Sequence, residues 1–134
     1  MSLVIDASIV AAWFLDEKPD PRVEIAFDTV ARVETLAPGL FYYEIRNALL
    51  VSERRNRITE AMSAAFLRDL ALLPIRFDAS GDDAILLTLA RKRKLTVYDA
   101  AYLELAKREA LPLATLDRDL EKAAIAEGVA LFGA

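Results

Sequence analysis

The chain has no cysteine and no histidine in its 134 residues. Without cysteine there is no disulfide framework and no thiol chemistry, which fits a reducing cytoplasm. Without histidine the Ser–His and Cys–His catalytic pairs are excluded, and so is imidazole ligation of a metal. Glycine is scarce too. Gly39, Gly81, Gly128 and Gly133 form no GxGxxG, no P-loop and no nucleophile elbow, so dinucleotide, ATP and serine-hydrolase readings lose their anchor. No stretch reaches the ~18 apolar residues of a membrane helix. The apolar run at the start is three residues long and lacks a basic leader, so no signal peptide is expected. Cations are outnumbered: 17 Lys and Arg stand against 21 Asp and Glu, a net charge of −4. That balance argues against a dedicated nucleic-acid binder. It leaves open an enzyme that meets phosphates through bound metal ions.

What is present is a 55% hydrophobic chain that should be ordered and globular, a single domain over residues 1–134. Its organising stretch runs from Leu95 to Leu120. There Leu113 to Thr115 reads as a short buried strand, and Asp117 or Arg118 opens the last long helix, stopped by Gly128. The N-terminus has the same arrangement. Leu3 to Ile5 is a strand hydrophobic on both faces, Asp6 ends it, and Ile9 to Leu15 is a short helix with Trp13 and Phe14 as core anchors.

Asp16 to Pro21 reads as a loop, with Asp20 capping and Pro21 starting a helix whose inner face is Val23, Ala26, Phe27 and Val30. Thr35 to Ala37 is a second strand, stopped by Pro38 and Gly39. A helix from Leu40 to about Asn56 turns Phe41, Ile45, Ala48, Leu49 and Ser52 to one side. Thr59 caps the next, with Met62, Phe66, Leu70 and Leu73 inward. Ile75 to Phe77 is a third strand. Ser80 to Asp83 has a capping pattern, and Ile85, Leu86, Leu89 and Ala90 carry that helix to the basic run Arg91 to Lys94. Leu95 to Tyr98 fits a strand or a loop, and Asp99 opens a helix with Leu103 and Ala106 inward. Val129 to Phe132 makes a fifth strand. Short apolar strands alternating with helices imply an α/β fold, a parallel sheet covered on both faces.

Four acids occupy special places: Asp6, Glu44, Asp99 and Asp117, with Asp119 two residues on. An acid between the carboxyl end of a strand and the start of a helix lies where open α/β sheets place ligands. Taken singly, Asp6, Asp99 and Asp117 also read as N-caps, and Asp119 as a solvated first-turn acid. Glu44 points toward an apolar surface, costly without a partner. If the first and fourth strands are neighbours, three acids converge at one edge within reach of Glu44. Clustered carboxylates raise one another's pKa unless a positive charge sits between them. A hard, oxygen-liganded cation, Mg²⁺ or Mn²⁺, suits them.

The blocks V-I-D-A-S (Val4 to Ser8), Y-E-I-R-N-A-L (Tyr43 to Leu49), L-T-V-Y-D-A-A-Y-L (Leu95 to Leu103) and L-A-T-L-D-R-D-L (Leu113 to Leu120) resemble those of PIN-domain proteins, above all the VapC toxins of bacterial toxin–antitoxin pairs. They occur in family order and span nearly the whole chain. The resemblance implies a three-layer α/β/α fold on a mostly parallel five-stranded sheet. It also implies Mg²⁺- or Mn²⁺-dependent endoribonuclease activity on RNA, a homodimer, and a small VapB-like antitoxin partner. Asp6, Glu44, Asp99 and Asp117 match the family's acids and would hold one or two ions, whose bound water supplies the nucleophile. Asp119 matches a further acid, and Ser8 and Thr115 would orient carboxylates or waters behind them. Arg46, Arg54, Arg55, Arg91 and Lys92 are candidates for holding RNA phosphates. Two other readings compete: a non-cleaving PIN-like interaction module, and a metal-dependent phosphatase for small substrates. A haloacid-type aspartyl phosphatase is disfavoured, because Ser8 stands where a second acid is needed.

Overall fold

The computed structural model describes residues 2–15 and 20–133. Its frame is a parallel sheet of β1 (Leu3–Ile5), β2 (Thr35–Pro38), β3 (Ile75–Asp78) and β4 (Leu113–Ala114), in the order β3-β2-β1-β4. Val4 lies opposite Leu36 on one side and Leu113 on the other. Every residue of β1 and β2 is buried, which explains their unbroken apolar runs. The expected fifth strand shrinks to a bridge between Leu113 and Leu131. β4 is only two residues long, so Leu113 alone meets the returning chain, accepting from Phe132 N–H and donating to Ala130 O. Gly133, at φ 79°, then turns the backbone out of line.

The strand order sets the layers. The chain steps from β1 through β2 to β3, then reverses to β4. Right-handed crossovers therefore place α1 (Ala7–Leu15), α2 (Pro21–Val30), α3 (Leu40–Arg54) and α4 (Glu60–Leu70) on one face. The other face receives α5 (Asp83–Arg93), α6 (Val97–Glu109) and α7 (Arg118–Ala126). α6 is the central helix of that layer and packs on β1, β2 and β4. Its run from Tyr102 to Ala106 is buried without a break.

Several local expectations move. Asp20 caps α2 with Pro21 in its first turn, as read; the rest of the Asp16 to Pro19 loop lies outside the described residues. Trp13 is 42% exposed and stacks on Phe27 at 3.8 Å, while Phe14 stacks on Phe66 at 4.2 Å. Both pack helix against helix rather than filling the core. Met62 is exposed, and Ser63 takes the buried position with its hydroxyl on Glu53 at 2.6 Å. Ile85 is exposed because α5 leans on α6, not on the sheet. The cap of α5 is Asp82, accepting from Ile85 N–H at 3.0 Å, because the Ser80 hydroxyl is drawn to Asp78. Leu95 to Tyr98 is neither strand nor loop throughout. Thr96 accepts from Asp99 N–H at 3.1 Å and starts α6 at Val97, so Asp99 sits at the third helical position. An acid there meets the positive end of the helix dipole.

Candidate metal centre

β1 and β4 are neighbours, so Asp6 and Asp117 leave the sheet at one edge. Asp6 is 5% exposed. Its Oδ1 accepts from the N–H groups of Ser8 (3.0 Å) and Ile9 (3.3 Å), capping α1, and from the Ser8 hydroxyl (2.5 Å). Its Oδ2 accepts from the Thr115 hydroxyl. Each hydroxyl is itself fixed from behind: Leu116 N–H donates to Ser8 Oγ at 2.9 Å, and Asp117 N–H donates to Thr115 Oγ1 at 3.0 Å. Two hydroxyl relays thus tie the turn after β4 to the turn after β1, through one carboxylate. Burial pushes Asp6 up to about 6, against the pull of these hydrogen bonds.

Glu44 reaches this region from α3. Its partner is Tyr102 of α6, fifty-eight residues away, whose hydroxyl donates to Glu44 Oε1 at 2.5 Å. The Tyr102 ring is 2% exposed. Burial and the Glu44 carboxylate push the phenol well above the ordinary tyrosine range. Glu44 is raised by burial and by the charge of Asp99. Asp99 is raised by burial, then by the charges of Asp117 and Asp119. Asp99 therefore lies within electrostatic range of Glu44, Asp117 and Asp119. Among the described residues, no cation pairs with any of the five.

The structure separates capping from clustering. Asp117 caps α7, its Oδ1 accepting from Leu120 N–H at 2.9 Å. Asp99 caps nothing, since Thr96 does that work. Asp119 is exposed one residue into α7. The donor chemistry, carboxylate and hydroxyl oxygen under net negative charge, fits a hard divalent cation. The side chains stand around that space without closing on a point: among the described residues no three acidic groups are gathered as ligands of one ion.

The five basic candidates do not gather at one place. Arg46 turns back on its own helix, Nη1 donating to Tyr42 O at 3.0 Å and the guanidinium lying 3.3 Å over the Tyr42 ring. Arg54 and Arg55 are exposed at the far end of α3, roughly 15 Å along the helix from Glu44; the fold does not bring them to the acids. Arg91 is exposed, and Lys92 is 3.3 Å from Glu127. Sequence reasoning missed Tyr102, although it lies three residues after Asp99 on the same helical face. It also missed the network joining buried Glu104 to Arg108 (2.7 Å) and Arg108 to Asp78 (3.2 Å). The i, i+4 spacing of Glu104 and Arg108 was its one sequence signal.

The geometry agrees with the comparisons. Residues 3–126 match the family model of the PIN domain. The chain belongs to the PIN-domain family. It is 36% identical over 125 residues to Ribonuclease VapC3 of Pyrobaculum aerophilum, an alignment covering 90% of this chain and 92% of that protein. The fold is similar to the crystal structure of PAE2754 from Pyrobaculum aerophilum, with TM-score 0.66 and 28% identity over 92% of this chain and 87% of that one. It is also similar to the crystal structure of FitAcB from Neisseria gonorrhoeae, with TM-score 0.69 and 19% identity over 99% and 97% of the two chains.

Proposed function

We propose that this chain is a VapC-type endoribonuclease that requires Mg²⁺ or Mn²⁺. The observation that carries the reading is the set of carboxylates at one sheet edge, with no described cation to balance them: burial raises Asp6, Glu44 and Asp99, and neighbouring acids raise Glu44 and Asp99 further. Acids elsewhere in the fold with little-exposed side chains are paired with cations, as Glu104, Asp78 and Glu127 are.

Asp6, Glu44, Asp99 and Asp117 would hold the ion, directly or through water, with Asp119 beside them. A bound divalent ion supplies a water of lowered pKa and compensates charge on the phosphate. Ser8 and Thr115 fix the rotation of the Asp6 carboxylate, because each hydroxyl is itself held by a backbone N–H. Tyr102 fixes Glu44 in the same way. With no imidazole in the chain, carboxylates and water carry all proton traffic. A cation relieves the repulsion of Asp99 with Glu44 and Asp117, and that relief favours its binding.

The same reading assigns this chain a homodimeric state, a cytoplasmic location and a small antitoxin partner. Exposed aromatic residues Trp13, Tyr42, Tyr43 and Phe77 support an interaction surface. No helix of the described residues is long and apolar enough to cross a membrane. The test is to incubate purified protein with total RNA and Mn²⁺ or Mg²⁺, with EDTA as control, and map the cut ends. Discrete metal-dependent ends support the proposal; RNA intact in every metal removes it.

A further inference from the structure

Beside the acids lies a second feature of opposite sign. The end of α5 and the outer face of α7 enclose an open cavity of about 490 Å³, lined by Lys92, Arg93, Lys94 and Lys122 together with Asp119. That volume falls within the roughly 300–1,000 Å³ of ligand clefts. Two of the four cations are engaged: Lys92 and Arg93 share Glu127 with Lys107, at 3.3, 2.5 and 2.6 Å respectively. Three cations on one carboxylate leave a surplus of positive charge. Among the described residues, Lys94 and Lys122 make no ion pair and add to that surplus.

Lys94 ends α5 in the left-handed conformation, at φ 55°, as Ala110 ends α6, and its exposed side chain stands on the cavity wall. Glycine also fits that backbone. The cavity also adjoins the acids. Asp119 lines it, and the charge of Asp119 acts on Asp99.

We infer that the α5–α7 cavity, through Lys94 and Lys122, grips backbone phosphates of single-stranded RNA flanking the bond to be cut. The inference rests on the nuclease reading and adds to it the route of the substrate. It also answers the chain's overall acidity: a net charge of −4 is compatible with RNA binding when four cations line one cavity.

The test is the double variant Lys94→Gly and Lys122→Ala. Glycine suits the φ of position 94, so the melting temperature should not fall. Binding of a labelled single-stranded RNA is followed by fluorescence anisotropy across a salt series, with cleavage kinetics in Mn²⁺ alongside. Loss of two phosphate contacts should make the log–log salt dependence shallower by about 1.4, or about 25-fold weaker binding at 0.1 M salt. The KM for RNA should rise while turnover at saturation holds. An unchanged salt slope and KM in the variant, with a parent that cuts RNA, overturns the role of the cavity alone. A parent that neither binds nor cuts RNA overturns the nuclease reading and this inference with it.

Discussion

Replacing Asp99 and Asp117 singly by Asn separates helix capping from metal binding, because only Asp117 caps a helix while the proposed function has both hold the ion. Asn caps about as well as Asp, so Asp117→Asn should cost well below the ~1 kcal/mol of an alanine substitution. Asp99 caps nothing, since Thr96 accepts its N–H at 3.1 Å. Its carboxylate sits among Asp117, Asp119 and Glu44, so Asp99→Asn relieves repulsion and should leave the metal-free protein as stable or more so. Metal changes the comparison. At a hundredfold excess over its dissociation constant, Mn²⁺ should stabilise the parent by about 2.7 kcal/mol. With an unfolding entropy of about 2.1 cal/mol/K per residue, that is a rise of roughly 10 °C in Tm. Even residues that only support ligands change metal affinity by about 10–100-fold. A hundredfold loss on removing a ligand brings the same Mn²⁺ level down to the dissociation constant, where the gain is about 0.4 kcal/mol, or 1–2 °C. Thermal melts with and without Mn²⁺, run beside RNA cleavage, read both effects. If both variants keep the full Mn²⁺ shift and the parent's cleavage rate, the acids are caps and surface charges, and the reasoning fails.

Tyr102→Phe keeps the buried ring and removes the donor to Glu44. It should cost about 1–2 kcal/mol in stability and weaken Mn²⁺ binding by about 10–100-fold; a calorimetric titration identical to the parent's would show that the phenol does not position Glu44. Arg108→Leu leaves buried Glu104 unpaired and should destabilise by about 3–5 kcal/mol at pH 7. Arg108 also holds the Asp78 carboxyl well below the usual carboxylate range. A folded-state pKa depressed in this way contributes stability above the unfolded value of ~3.9, lost as pH falls through the folded value. The gap between parent and Arg108→Leu should therefore narrow below about pH 4, and equal denaturant midpoint shifts at pH 7 and pH 2 would exclude that linkage. Light scattering should report a dimer at tens of micromolar protein, a concentration at which a stable dimer persists; a monomer there removes the dimer from the account.

The residues differ in how plainly the sequence announced them. The strands of the sheet centre were legible because apolar runs such as Leu3 to Ile5 pack on both faces. Asp6 and Asp117 were legible because each lies between an apolar run and the helix it caps, two local signals at one residue. Asp99 also read as a cap and is not one: Thr96, three residues earlier, accepts Asp99 N–H and starts the helix at Val97, so Asp99 lies inside the first turn. The partner of Glu44 was illegible, because α3 and α6 lie on opposite faces of the sheet and meet only at its edge. The fifth strand failed for a related reason. Residues Val129 to Phe132 have strand composition, but β4 is too short to template a full ladder. The inner faces of α4 and α5 were misjudged by periodicity, which ranks Met62 and Ile85 by hydrophobicity and cannot see that these helices pack on only a narrow stripe.

Metal-dependent RNA cleavage is decided by an end-labelled RNA incubated with the parent protein in Mn²⁺, with the parent in EDTA, and with the Asp99→Asn variant in Mn²⁺. Discrete products are expected in the first condition, none in the second, and a rate at least about a hundredfold lower in the third. Equal cleavage in Mn²⁺ and EDTA, or by parent and Asp99→Asn alike, would contradict the proposed metal site.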